Sequence, residues 1–350
     1  MTGRVRHCDV VVAGAGPAGA SAALAAAQAG ARVLLVERRH APGRPVQCAE
    51  YLPLPAAGPA RAAGAACQPV RATTVHLPSG AAHLDPVPGL MIHRDRLDAG
   101  LAARAQAAGA VLMCGWRLAG LDARRREVIL VRGREVQRVR FGCCVAADGP
   151  RSAAARALGL APLPVMAARQ VTVPLARARD HCEVWLGPAW PGGYAWLFPK
   201  GDRAHLGAGW TGRLRADPVA ALHRRLCDAG GVGPQVLAVT GGLIPVGGLR
   251  DPVAPGPVLF AGDAAGLAHP VTGAGIAPAL ASGALAGAAA AAGTAAAWRA
   301  YGEELRDTYG ASLARAAARR REAAAGMGDD AAARRGWVAF PEYHGREAAA

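Results

Sequence analysis

The sequence predicts an α/β fold in which a parallel-sheet unit, met near both ends of the chain, encloses a β-rich middle. Three observations predict it. A buried-strand pattern at residues 10–13 runs through a glycine-rich turn into a helix over 18–29, ended by Gly30, and a second strand at 32–36. That is the βαβ order of a parallel sheet. Short strands separated by turns, including 170–175, 182–186 and 195–198, fill residues 165–249 and predict a mixed sheet. Residues 258–261 then return to a buried strand, followed by a small-residue helix from Gly275 to about Ala292.

Between these landmarks, proline and glycine dominate 41–64 and predict an irregular covering loop. Helical periodicity returns at 96–108, with β-rich stretches near 128–139 and 143–146. From Trp298 onward the pattern reads as a basic helix and then an irregular tail. The expected division is therefore 1–65, 93–163 and 251–295 for the parallel-sheet domain, 66–92 and 164–250 for the second sheet, and 296–350 for the C-terminal helix and tail. No internal repeat is evident.

With 350 residues the chain can bury a large core. No segment has the roughly 20 strongly apolar residues of a membrane span. The opening MTGRVRHCDVVVAGAG leads straight into the first strand, so no signal peptide and a cytoplasmic address are expected. Eight cysteines occur singly or as the pair Cys143 and Cys144, without metal-ligand spacing, so no metal site is expected. The net charge of +15 suits an anionic partner. Nucleic acid is not the expected one, because no base-reading module is present and aromatic residues make up only 5%.

Gly14, Gly16 and Gly19 sit where a strand turns into a helix. Glycine there allows a tight turn, close approach of backbone to a pyrophosphate, and close helix–strand packing, with the helix N-terminus facing the phosphates. Glu37, with Arg38 beside it, ends the next strand, where a carboxylate accepts ribose hydroxyls and repels a 2′-phosphate. A Rossmann-type dinucleotide site that disfavours NADP follows.

The segment 258–283, VLFAGDAAGLAHPVTGAGIAPALASG, makes the resemblance specific. Gly262 and Asp263 resemble the second flavin motif of FAD oxidoreductases related to p-hydroxybenzoate hydroxylase, whose aspartate holds the ribityl chain. Gly273, Gly275 and Ile276, with Pro270, Thr272 and Ala274, resemble the loop and helix start at the flavin pyrimidine edge. Arg94 with Leu97 and Asp98, and Asp148 and Gly149 with Ala147, Arg151 and Ser152, match two more motifs of that group in the expected order. The resemblance implies FAD and a Rossmann-type FAD-binding domain of the p-hydroxybenzoate hydroxylase-like group, with a mixed β-sheet substrate domain. Arg94 otherwise reads as one surface arginine among many.

Over roughly residues 9–287 the chain most resembles the geranylgeranyl reductase family, which reduces isoprenoid double bonds. Pro45, Val46, Gln47, Cys48, Ala49 and Glu50 resemble its Pro-x-x-Cys-Gly-Glu loop, with Ala49 departing from the glycine. Tyr194, Trp196, Phe198, Pro199 and Lys200 resemble its Tyr-x-Trp-x-Phe-Pro-Lys strand, and Gly241, Gly242, Ile244, Pro245, Gly247 and Gly248 its approach to the Gly-Asp motif. Saturating an unactivated double bond needs a hydride at one carbon and a proton at the other, in a dry pocket. The resemblance places Cys48 beside the flavin as proton donor or relay, with Tyr194, Trp196, Phe198 and Lys200 on a hydrophobic isoprenoid substrate. Cys48 otherwise reads as a small buried hydrophobe. Lys200, the only lysine, either faces a phosphate or flavin edge or is an accident of composition.

Related chemistries separate on single residues. Halogenation in this fold needs a lysine well upstream of the 193–199 motif, and none precedes Lys200. An electron-transfer flavoprotein dehydrogenase needs a C-terminal cysteine-ligated cluster, and no cysteine follows Cys227. An aromatic hydroxylase is the main alternative, and a non-enzymatic flavin-binding protein the other. No second dinucleotide fingerprint is present, so the electron donor is NAD(P)H bound transiently or a protein such as reduced ferredoxin. Arg315, Arg319, Arg320 and Arg321 lie on the basic helix. They read either as a patch for peripheral contact with an anionic membrane or as a solvated face.

Overall fold

The computed structural model describes residues 6–214, 217–325 and 328–345; the chain ends named above, 1–5 and 346–350, lie outside them. Along the chain come β1 (Arg6–Ala13), α1 (Pro17–Gln28), β2 (Val33–Glu37), β3 (Tyr51–Pro53), α2 (Gly58–Ala62), β4 (Ala66–Val70), β5 (Ala72–His76), β6 (Ala82–Asp85) and β7 (Gly89–Ile92). Next are α3 (Arg94–Ala107), β8 (Val111–Cys114), β9 (Arg117–Asp122), β10 (Glu127–Arg132), β11 (Glu135–Ala146) and α4 (Ala153–Ala157). The middle holds β12 (Val165–Pro174), β13 (His181–Trp185), β14 (Ala195–Lys200), β15 (Arg203–Trp210), α5 (Pro218–Asp228) and β16 (Ala238–Pro245). The chain closes with β17 (Val258–Phe260), α6 (Ile276–Ala292), α7 (Ala295–Leu305), α8 (Ala311–Ala325) and α9 (Asp330–Gly336).

One seven-stranded sheet has the order β8-β2-β1-β11-β10-β9, with β17 also on β11. Its centre is parallel: β1 pairs β2, β11 pairs β1 and β17, and β2 pairs β8. Val10, Val11 and Val12 are fully buried, as strands covered on both faces require. A second seven-stranded sheet, β16-β12-β15-β14-β13-β5-β6, is antiparallel except where β13 meets β5.

Helices α1 and α6 lie against each other at backbone distance, which explains their small residues. A Cβ added at Gly283 would sit 2.1 Å from the Ala18 carbonyl oxygen, and one at Gly287 2.2 Å from that of Ala22. This contact joins the first and third stretches of the parallel-sheet domain.

Three expectations need correction. Residues 41–64 are not wholly irregular, since they contain β3 and α2. Within 66–92 only β5 and β6 enter the second large sheet, while β4 and β7 pair with β3 in a separate three-stranded sheet. The tail is folded: α9 and a 3-10 turn at Pro341–His344 bury Trp337, Phe340 and Tyr343 against the second sheet's core. Those three aromatics drive the docking, at about 1.5–3 kcal/mol for each large apolar side chain buried. Among the described residues no helix is long and apolar enough to cross a membrane.

Candidate active site

The glycine turn meets its three steric demands separately. Gly14 has φ +98°, and a Cβ there would lie 2.3 Å from the Ala147 carbonyl oxygen. Gly19 admits the turn itself, since its Cβ would strike the Gly14 carbonyl oxygen at 1.7 Å. Gly16, the N-cap of α1, has nothing within 4 Å of its missing Cβ and faces open space. That is a cradle for a phosphate at a helix N-terminus. At the end of β2, Glu37 accepts the Ala15 N–H on Oε2 (2.8 Å) and the Arg39 N–H on Oε1 (2.9 Å). Each carboxylate oxygen keeps lone pairs for further donors. Arg38 is exposed, whereas Arg39 turns inward and donates to the Pro45 carbonyl (2.9 Å) and the Gln47 side chain. Nothing local in the chain distinguishes these adjacent arginines.

Across the groove, Arg94 forms a buried two-point pair with Asp98 (3.1 and 2.9 Å). Burial works against the Arg94 charge, but Asp98 and the adjacent Cys48 sulfur outweigh it and hold the guanidinium protonated. Asp263 lines the cavity, and burial pushes its carboxyl up to about 6 although the Arg94 charge opposes the rise. Gly275 leaves room for it, since a Cβ there would sit 3.2 Å from Asp263 Oδ1. Gly273, at φ +69°, and Ile276 line the same wall. Gly262 instead packs on α1, its absent Cβ 2.8 Å from that of Ala18.

Asp148 faces away from the groove more than its motif implied. Its Oδ2 caps α4 by accepting the Ala153 and Ala154 N–H groups (2.6 and 3.1 Å), while Oδ1 is buried without a hydrogen-bond partner among the described residues. Ala147 and Gly149 line the cavity in its place.

The groove opens into a cavity of about 510 Å³ beneath the second sheet. Cys48 lines it, with Sγ accepting the Glu50 N–H (3.2 Å). Its carbonyl accepts from Gln170 Nε2 (3.2 Å), and Gln170 Oε1 accepts from Trp196 Nε1 (3.0 Å). Thr240 and Gln47 strap this loop to β16 through the Val46 and Gly241 carbonyls (2.7 and 2.6 Å). Tyr194, Trp196 and Phe198 form the aromatic wall. The Tyr194 hydroxyl donates to the Thr272 carbonyl (2.6 Å), and burial pushes its pKa above the usual range, so it serves here as an anchor.

Lys200 does not line the cavity. It pairs with the Glu50 carboxylate, which also accepts from His205 Nε2 (2.7 Å) and the Arg94 N–H (2.7 Å). Burial acts to raise the Glu50 pKa, but His205, Lys200 and the Arg94 amide together bring it down to about 2. Glu50 sits at φ +64°, so this buried network holds the Cys48 loop in a conformation that L-residues rarely adopt. Gln170 and His205 carry no local signal as site residues, and Glu50 reads only as the end of the Cys48 loop motif, because only the fold brings β12, β15 and this loop together.

His269 joins the flavin-side loop to the tail. Its Nδ1 accepts the Thr272 N–H (3.2 Å), which leaves the proton on Nε2 to face the Tyr343 hydroxyl (3.3 Å). Burial lowers its pKa to about 4. Trp337 packs edge-on to Tyr194 at 4.8 Å and, with Val338, completes the cavity wall.

A helix N-terminus opening on free space at Gly16, a buried carboxylate at the end of β2 and a groove running into an apolar cavity suit an FAD-dependent oxidoreductase. Residues 9–43 match the family model described as FAD dependent oxidoreductase. The chain is 32% identical to a digeranylgeranylglycerophospholipid reductase of Methanocella arvoryzae, covering 87% of this chain and 84% of that one. It is 35% identical to digeranylgeranylglycerophospholipid reductase 2 of Methanopyrus kandleri, covering 79% and 75%. A crystal structure of a geranylgeranyl bacteriochlorophyll reductase-like protein from Thermoplasma acidophilum superposes with TM-score 0.83 at 26% identity, over 92% of this chain and 88% of that one. The chain belongs to the geranylgeranyl reductase family.

Proposed function

We propose that this protein saturates carbon–carbon double bonds of a geranylgeranyl or related isoprenoid chain borne on a diphosphate, lipid or quinone. The observation that supports it most is the position of Cys48. Its thiol lines one continuous cavity with flavin-side residues Gly16, Arg94 and Asp263 and the aromatic wall of Tyr194, Trp196 and Phe198. Gly14, Gly16, Gly19 and the α1 N-terminus would hold the FAD pyrophosphate, Glu37 the ribose, Asp263 the ribityl chain, and residues 273–276 the pyrimidine edge. Reduced FAD supplies a hydride when bound.

The aromatic wall and the tail residues Trp337 and Val338 exclude water and align an apolar chain. Cys48 delivers a proton to the carbon that does not receive the hydride. The Glu50 N–H and the Arg94 cation stabilise the thiolate left behind, and solvent returns its proton. Electrons come from NAD(P)H bound transiently or from a reduced ferredoxin-type protein. Peripheral membrane contact, if made through α8, falls to the exposed Arg315 and Arg321. Arg319 is turned onto the Tyr343 and Glu342 carbonyls, and Arg320 faces inward.

The test is anaerobic incubation of the dithionite-reduced holoprotein with geranylgeranyl diphosphate, followed by mass analysis. Two hydrogens gained per reduced bond, with the rate cut about 10²-fold or more in Cys48→Ser and FAD binding unchanged, support the reading. Oxygen incorporation under air, or an untouched chain beside fully reduced flavin, would overturn it.

A further inference from the structure

Four adjacent strands of the second sheet place one residue each in a single row over the large cavity. Trp196 on β14 stands opposite Gly207 on β15, Gly207 opposite Gln170 on β12, and Gln170 opposite Thr240 on β16. Directly opposed residues share a face of the sheet, and Trp196, Gln170 and Thr240 all line the cavity. Neighbouring strands lie about 4.8 Å apart, so Trp196 and Gln170 start from backbones roughly 10 Å apart. The glycine between them lets the side chains close that gap. A Cβ at Gly207 would lie 2.5 Å from Trp196 Cε2, so a bare backbone is needed for the indole to lie across β15 and reach β12.

There Trp196 Nε1 donates to Gln170 Oε1 (3.0 Å), and Gln170 Nε2 donates to the Cys48 carbonyl (3.2 Å). An indole only donates and a carbonyl only accepts, so these two partners fix which way round the amide stands. Thr240 extends the row, its hydroxyl donating to the Val46 carbonyl (2.7 Å) two residues before Cys48. The row thus begins on the aromatic wall and ends on the loop that carries the thiol. Of its four residues, Gln170 is bonded to both, and it is 4% exposed.

We propose that Gln170 is a positioning residue for the proton transfer, its amide setting the spacing between the Cys48 thiol and the Trp196 face against which the chain lies. The proposal rests on the reductase reading. Delivery of a proton to one carbon of a double bond tolerates little displacement, a shift of about 1 Å costing on the order of 100-fold in rate. The apolar chain is held by contact area that Gln170 does not supply, so its loss acts on kcat more than on KM.

The test uses the FAD-loaded full chain with Gln170→Met and Gln170→Glu. Methionine keeps the unbranched length and removes both bonds. With geranylgeranyl diphosphate, kcat should fall by about tenfold or more while KM changes by less than about threefold. Iodoacetamide labelling of Cys48, read by peptide mass, should quicken by about threefold or more as the loop is released. Glutamate separates positioning from bulk structure. A neutral glutamic acid donates through its O–H and accepts through its C=O, which rebuilds both bonds, whereas the carboxylate cannot donate to the Cys48 carbonyl. Burial holds such a carboxyl above its usual range, so the ratio of Gln170→Glu to wild-type kcat should be highest at low pH and fall by about tenfold as pH rises through that pKa. The other ionisable groups around the row, among them Cys48 and Glu50 on the loop, Arg94 on α3, Tyr194 beside β14, His205 on β15 and Asp263, are common to both proteins and cancel in the ratio. Should Gln170→Met fail to fold, that ratio decides alone. Unchanged kcat in Gln170→Met, or a Gln170→Glu ratio that stays flat with pH, would overturn the positioning role. Labelling of Cys48 that quickens in Gln170→Met, beside a wild type that leaves the chain untouched, overturns the reductase reading and leaves the hold of Gln170 on the loop in place.

Discussion

Replacing Glu50 by glutamine keeps the shape of the side chain and removes its charge. In the folded protein that charge is 2% exposed and is held by Lys200, His205 and the Arg94 amide. A fall in pKa from 4.5 to about 2 corresponds to about 3 kcal/mol of stability at neutral pH. Breaking a buried pair from one side costs a similar 3–5 kcal/mol or so. Because the folded pKa lies below the unfolded one, this stabilisation is complete above about pH 4.5 and declines as pH falls toward 2. By about pH 3.5 roughly 1–2 kcal/mol of it is lost. Urea unfolding of wild type and Glu50→Gln at pH 7 and about pH 3.5 should therefore show a gap of about 3 kcal/mol that narrows by roughly 1–2 kcal/mol. A gap below about 1 kcal/mol at pH 7, or one that stays constant with pH, would refute the assignment of Glu50 as the centre of a buried ionic network.

Gly287→Val should cost about 3 kcal/mol or more in unfolding free energy, because its Cβ would meet the Ala22 carbonyl oxygen at 2.2 Å. Gly310→Ala, with nothing within 4 Å, should be neutral or slightly stabilising. Equal effects at the two sites would dismiss the helix contact. Asp263→Asn should stabilise the apoprotein at pH 7 by up to about 3 kcal/mol, since a carboxyl raised from 3.8 to about 6 costs stability as pH rises through that interval. The same variant should bind FAD more weakly, read by flavin fluorescence, and a pH–stability profile identical to wild type would count against a buried Asp263.

What could be read from the chain was what local sterics impose. Gly19 answers to the Gly14 carbonyl five residues before it, and Glu37 closes a strand buried along its whole length by its own valines and leucines. The aromatic wall was legible for the same reason, since Trp196 and Phe198 alternate on β14 and Tyr194 immediately precedes it. Contacts spanning long stretches were not. The Lys200–Glu50 pair joins residues 150 apart, so a lysine that stood out by composition gave no hint of its partner. The arginines of α8 looked like one basic patch, but helical rotation sends Arg319 to the tail carbonyls and Arg320 into a cavity. The tail looked irregular because its elements are short and hold only through the aromatics they bury on a distant sheet.

The backbone contact between α1 and α6 also bears on how the protein is born. The glycine turn at 14–19 leaves the ribosome well before the helix that lies against it, which ends at Ala292. At about 5–20 residues per second, roughly 10–50 s separate the two events. Through that interval the Ala18 and Ala22 face of α1 has no counterpart, and the parallel sheet lacks β11 until Ala146 and β17 until Phe260. The framework that would hold the cofactor is thus complete only late in synthesis, once α6 lies against α1.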